Sequence, residues 1–238
     1  MGRLQIAWTW QVKGQFHIGA GIGRVGYADS ILRCDANGRI FIPGDAVKGA
    51  VREAAERLLF WLVPSRGTDI PQTSYPDPEY PILQTFFAPP PGRPFYRFSP
   101  GRIVGGPQAM RPASTAIDNA TGVADDTTLR ILETLPPNVS FKPSVTGEGS
   151  NWSPQGKVER MNLIFLLAAI LSTEVVGGKK GIGHGEMAVK DLSCKVNNTD
   201  ILGELLPGNT WNEEVILNLQ QHVKTQGGDT HDNVQIND

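Results

Sequence analysis

The sequence predicts an α+β fold. Three observations carry that expectation. The chain opens on an alternating apolar strand, two segments with helical apolar spacing follow at intervals, and a further strand pattern closes the body near residue 196.

In the first strand Leu4, Ile6, Trp8, Trp10 and Val12 alternate with Gln5, Ala7, Thr9 and Gln11, the period of a strand with one buried face. A Gly-rich stretch from Gly19 to Gly26 and a short apolar pair, Ile31-Leu32, come next. Asp35-Ala36-Asn37-Gly38 reads as a turn, and Ile40-Phe41-Ile42 as a second short strand. A helix starts at Pro43-Gly44-Asp45, with Val47, Val51, Ala54, Ala55, Leu58, Leu59 and Leu62 on one face and Asp45 as the expected N-cap. Residues 64–112 hold much of the proline and read as a long irregular insertion with four arginines, Arg93, Arg97, Arg102 and Arg111. Extended segments return around 111–117 and 129–145, and the polar stretch 118–128 between them reads as a hairpin tip. Lys157 to Leu171 forms a second helix, apolar nearly all round in its latter half and so buried. A closing strand runs from Met187 to about Val196, and a last helix is expected near Trp211 to Lys224. The order strand, helix, strands, helix, strand matches a ferredoxin-like split βαβ domain with loop insertions. The body is expected over 1–197, with an acidic tail over 198–238, partly helical or disordered.

The 238 residues include two cysteines, Cys34 and Cys194, neither in a CxxC pair, so a disulfide framework is excluded and a zinc site is not expected. No signal peptide is read at the N-terminus, and the apolar run Leu163 to Leu171 is too short for a membrane span, which makes the cytoplasm the expected compartment. Net charge is −2, which argues against a free-standing nucleic-acid binder. From Asn198 onward, however, there are one base and seven acids, and the remainder carries 21 bases against 17 acids. A mildly basic body acting inside a larger complex fits this distribution.

Gly21-Ile22-Gly23-Arg24-Val25-Gly26 fits GxGxxG, but no helix begins within that loop and the strand before it alternates, so a dinucleotide site is excluded. Lys48 and Arg52 share a face in the first turns of the helix, where its dipole disfavours cations; a bound phosphate would reverse that cost, and Gly49 would admit a close backbone. A solvated lysine is the plain alternative. Gly177-Gly178-Lys179-Lys180-Gly181-Ile182-Gly183-His184-Gly185 has five glycines in nine residues, more than a connecting turn needs, and suits an extended phosphodiester. Asp29 and His17 are loop residues, a class that is usually structural.

Taken together these segments resemble the RAMP superfamily, and within it the Cas-seven family that forms the guide-RNA filament of type III CRISPR effectors. The resemblance is carried by Phe16-His17-Ile18-Gly19, by Ala28-Asp29-Ser30-Ile31-Leu32, by Ile42-Pro43-Gly44-Asp45-Ala46-Val47-Lys48-Gly49-Ala50-Val51-Arg52, and by the glycine loop. Two departures are Asp45-Ala46 for the family's Ser-Ser and Ile31 for its Pro after the Asp. The resemblance implies a modified ferredoxin-like fold, similar to an RNA-recognition motif, with a thumb hairpin over about 115–130. It implies guide-RNA contacts from His17, Gly19, Lys48, Gly49, Arg52, Gly178, Lys179, Lys180, Gly181 and Gly183, and thumb residues Asp118, Asn119, Thr121 and Asp125. It places Asp29 at the position of the family's cleaving aspartate, a ligand for Mg²⁺ in target-RNA cleavage. The partners implied are guide RNA, target RNA, copies or paralogues of the chain, and a large subunit. Two other readings stay open: a structural guide-binding subunit without cleavage, and a stand-alone guide-processing ribonuclease using His17 as general acid or base.

Overall fold

The computed structural model describes residues 2–63, 81–87, 96–117, 120–124, 128–149, 156–206 and 213–226. Strand β1, Gly2–Val12, buries Leu4, Ile6, Trp8, Trp10 and Val12, the set that the period of two selects. β2 is the short pair Phe41–Ile42. Helix α1, Gly44–Leu62, buries Val47, Val51, Ala54, Ala55, Leu59 and Leu62 on its inner face. Its capping position is Pro43, with no side-chain cap, so Asp45 sits inside the first turn and is not the N-cap. Gly44 is needed there because a Cβ would stand 2.5 Å from the Phe98 carbonyl oxygen.

The stretch 64–112 is more than a loop insertion. It holds α2, Pro81–Phe87, and β3, Tyr96–Val104, a full member of the sheet. Pro100-Gly101 reads as a turn in sequence, yet it falls where β3 shifts register between Ser99 and Arg102, a bulge that needs no ladder N–H from proline. Phe86 packs on Tyr96 at 4.7 Å, and Phe87 stacks on Phe98 at 5.8 Å.

β4, Ala113–Ser114, pairs with β5, Arg130–Ile131, as a separate two-stranded piece. β6, Ser140–Gly149, α3, Lys157–Leu171, and β7, Met187–Val196, follow, the last two with the expected bounds. α3 is buried from Met161 on because it lies among the sheet core, α1 and the last helix. β8 is Thr199–Asp200, α4 is Leu202–Leu205 and α5 is Glu213–Gln226. Leu202, Leu205, Leu206, Leu219 and Val223 join the one hydrophobic core, so the body does not end at residue 197 and the described part of the tail is not a loose appendage.

All pairings in the main sheet are antiparallel, in the order β2-β3-β6-β1-β7-β8. Without the two short outer strands the path is βαββαβ: β1, α1, β3, β6, α3, β7, with β1 at the centre between β6 and β7. That is the split βαβ layout, with both main helices on one face.

Candidate nucleic-acid interface

Three segments meet where α1 begins. On α1 itself, Lys48 has no hydrogen bond or ion pair among the described residues, and Gly49 faces open space. Burial, and then the Arg52 guanidinium one turn on, push the Lys48 ammonium below its usual value. Arg52 differs, because its Nε donates to Glu56 Oε1 at 2.6 Å. The carboxylate of Glu56 therefore holds Arg52 in place, whereas Lys48 has no such partner among the described residues.

The glycine loop reaches α1 through Lys180, whose Nζ lies 2.5 Å from Glu53 Oε2. It reaches the His17 segment through Gly178, whose N–H donates to the His17 carbonyl at 2.9 Å, and through Gly185, whose N–H donates to the Gln15 carbonyl at 2.8 Å. The N–H groups of Ile182 and Gly183 close the loop on Lys179 and Lys180. Not every N–H of the loop is thus offered outward; the exposed crest, Lys179 to Gly181, is what remains. Gly177, Gly183 and Gly185 have φ of 94°, 83° and 87°, and a Cβ on Gly185 would stand 2.1 Å from the Val176 oxygen. Those glycines serve the loop's own path. A Cβ on Gly181 would meet nothing within 4 Å, so its smallness leaves room on the outside.

His17 lies behind this surface rather than on it. The residue is 4% exposed; Nδ1–H donates to the Glu133 carbonyl at 2.7 Å, and Nε2 accepts from Ser30 Oγ at 3.1 Å. With both nitrogens engaged the residue orients the loop, and the direct RNA contact expected of it, like the general acid or base role, has no free atom to use. Gly19 keeps the pair close, since a Cβ there would stand 3.2 Å from His17 Nε2 and 3.3 Å from Ser30 Oγ.

The Asp29 loop is fastened from a distance in sequence. Glu133 is its clasp: Oε1 accepts from Tyr27 Oη at 2.9 Å and Oε2 from the Leu32 N–H at 2.8 Å. The bond from Tyr27 Oη to Glu133, more than the carboxylate's charge, holds the Tyr27 phenol above its usual pKa. Arg111 lies 4.6 Å and Arg24 5.5 Å from the Tyr27 ring centre. Asp29 is exposed, and its Oδ2 accepts from the Ile131 N–H at 2.7 Å at the base of the β4–β5 piece. Oδ1 has no partner among the described residues. No group of three metal-ligating side chains exists among those residues, so a cation at Asp29 would have at most two such ligands from them. Mg²⁺ accepts that number when phosphate oxygens and water complete its shell.

The β4–β5 piece carries the hairpin expected to be a thumb. Ile117 bridges Ala124, and Ile117, Thr121, Val123 and Leu129 are exposed; Asp118, Asn119 and Asp125 lie outside the described residues. Sequence reading missed Glu133, Arg111 as a ring partner and the Ser30–His17 contact. Glu133 acts on residues 101 to 116 positions away, and no local pattern signals that.

No helix among the described residues is long and apolar enough to cross a membrane. No curated protein matches the chain by sequence. The fold is similar to a chain of a type III-B Cmr-beta complex in its apo state, with TM-score 0.53 and 12% identity, over 78% of this chain and 96% of that one. It is equally similar to a chain of that complex bound to cognate target RNA, with TM-score 0.53, 11% identity and the same coverage. At such identity the likeness speaks for the fold alone. A model of the RAMP superfamily, by contrast, matches residues 11–188, which take in the Asp29 loop, α1 and the glycine loop. The chain belongs to the RAMP superfamily.

Proposed function

We propose that this chain is a backbone subunit of a type III CRISPR effector, holding guide RNA between α1 and the glycine loop and cutting target RNA at Asp29. One observation carries the guide-binding part: Lys48 and Gly49 open outward beside a glycine loop that Lys180 ties to the same helix. A phosphate there would meet the Lys48 ammonium, Lys179 and the α1 amino end together. One of the two type III-B Cmr-beta structures similar in fold is bound to cognate target RNA, which supports target RNA as a partner; copies or paralogues of the chain and a large subunit are the further neighbours this reading implies.

For cleavage, the exposed Oδ1 of Asp29 is the group that would hold Mg²⁺. The ion would supply charge neutralisation at the reacting phosphate. The chain's own part is to fix Asp29 by the Ile131 N–H, to keep the loop shaped through Glu133, and to present the β4–β5 hairpin beside it. One observation favours a subunit that binds without cutting: half of the Asp29 carboxylate already serves the fold.

The test uses reconstituted complex with matched target RNA and Mg²⁺. Lys48→Ala/Arg52→Ala should lose guide RNA on purification, and Gly181→Val should do so with an unchanged unfolding midpoint. Unaltered RNA content in both would end the guide-path reading. Asp29→Asn keeps an acceptor for the Ile131 N–H, whereas Asp29→Ala does not. If both abolish cuts at this subunit's sites with target affinity intact, Asp29 is catalytic. Persisting cuts in Asp29→Asn would make it a structural residue.

A further inference from the structure

The helices cover one face of the sheet, and the other face has a composition of its own. Side chains that alternate with the core positions line up in register across the four central strands. Arg97 lies opposite Thr146, Thr146 opposite Gln5, and Gln5 opposite Lys195. Two residues along, Ser99, Ser144, Ala7 and Ser193 form the next row. Beyond it Arg102 lies opposite Lys142, and Thr9 opposite Lys190. A row with three serines thus separates two rows with cations; each row lies about 7 Å from the next along the strands, and the rows are roughly 14 Å wide across three strand spacings.

Arg97, Arg102, Lys142 and Lys190 are exposed, and none has an ion pair or hydrogen bond among the described residues. Lys195 faces Asp200 across β7 and β8, so it is not counted with the four. Arg102 and Lys142 are like charges in direct cross-strand register, an arrangement that costs stability unless an anion relieves it. These cations belong to a chain whose net charge is −2, so their concentration on one face is a local feature.

What the face lacks decides its partner. The aromatic side chains of the four central strands, Trp8, Trp10, Tyr96, Phe98 and Phe141, are all buried on the helix side. The face therefore has no platform on which a base could stack. Among the described residues of these strands its one exposed large aliphatic side chain is Val104 at the edge, so there it also lacks the apolar anchors on which a protein interface depends. Cations interleaved with Ser, Thr and Gln donors are the inventory of a phosphate-backbone contact. We propose that this face binds the phosphodiester backbone of single-stranded RNA without reading its bases. It is a second nucleic-acid surface, separate from α1 and the glycine loop, and does not depend on the function proposed for them.

The experiment uses the full-length chain with labelled oligo(U) and oligo(A), titrated over a range of salt. Arg102→Gln/Lys142→Gln and Arg97→Gln/Lys190→Gln should each lower the slope of log affinity against log salt by about 1.4, from about 0.7 per charge on a single strand. Both variants should keep the wild-type unfolding midpoint and bind both oligomers alike. Wild-type slopes in both variants would overturn the inference, and so would a strong preference for oligo(A). If polyglutamate binds the wild type and oligo(U) does not, the face docks an acidic protein and the RNA inference falls. Lys48→Ala/Arg52→Ala runs in parallel. A loss confined to that variant fails the sheet face alone, and a loss confined to the sheet variants fails the α1 path alone.

Discussion

The start of α1 and the Asp29 loop flank the proposed RNA path, and they are built in opposite ways. Around α1, order comes from the element itself. A regular helix buries seven residues and leaves Lys48 and Gly49 facing out, with a glycine loop held alongside by one lysine–glutamate contact. The Asp29 loop has no regular structure to lean on. It is fixed by Glu133, by the Ile131 N–H and by a buried histidine, across more than a hundred residues of chain. Substitutions on the outer side of the first region should alter binding and spare the fold. In the second region the fold and the function share the same atoms.

The largest expected effect concerns what α1 rests on. Leu219 and Val223 of α5 are buried in the core shared with α1 and α3. Ending the chain at Pro207 should cost about 3–6 kcal/mol, from about 1.5–3 kcal/mol for each buried side chain. Denaturant unfolding measures it, and an unchanged midpoint would show that α1 is self-sufficient. An intermediate effect belongs to the clasp. Glu133→Ala removes the acceptor of the Leu32 N–H and should cost about 2 kcal/mol, the scale of a hydrogen bond to a charged group. Glu133→Gln keeps an acceptor and should recover roughly half of that loss. If Glu133→Ala leaves stability intact while slowing cleavage, the contrast between the two regions fails, because the clasp would then be functional without being structural.

Legibility in the sequence follows the same contrast. β1 and α1 are periodic and α3 is a long apolar run, and the structure places them, with β7, where the sequence does. The α1 cations were readable too, since helical spacing already brings Lys48 and Arg52 to one face, and the glycine loop was readable from composition. β3 was not readable, because it lies in the proline-rich stretch 64–112 and carries Pro100-Gly101 inside a strand that bulges there. The role of His17 was hidden too. A histidine at a strand end gives no sign of being buried until Ser30 and the Glu133 carbonyl are seen on its two nitrogens. In the glycine loop composition announced openness, yet Gly177, Gly183 and Gly185 answer to the loop's own backbone path through their positive φ, and Gly181 has clear space outside without that constraint.

The smallest expected effect is a pH dependence that reports on that loop. His184 Nδ1 is buried with no hydrogen-bond partner among the described residues. Burial, then the nearby His17 and Lys179, hold the ring's pKa below the usual 6.5. The unfolded chain then takes up this proton first as pH falls. The stability tied to the neutral ring is complete above about 6.5 and is lost as pH drops toward the folded value, below which it stays level. His222 is depressed in the same direction, chiefly by burial, so the comparison needs a variant. His184→Gln should flatten part of the stability loss between about pH 7 and 5, the range in which histidines titrate. The sharper form uses bound RNA. A phosphate at the crest would offset the Lys179 charge and raise the His184 pKa toward its ordinary value, which NMR titration of the ring carbons reads directly. An upward shift on adding guide RNA, absent in Lys179→Ala, would place the phosphate at the loop. A pKa unmoved by saturating guide would put the RNA elsewhere, and the glycine loop would then be only a connector between α3 and β7.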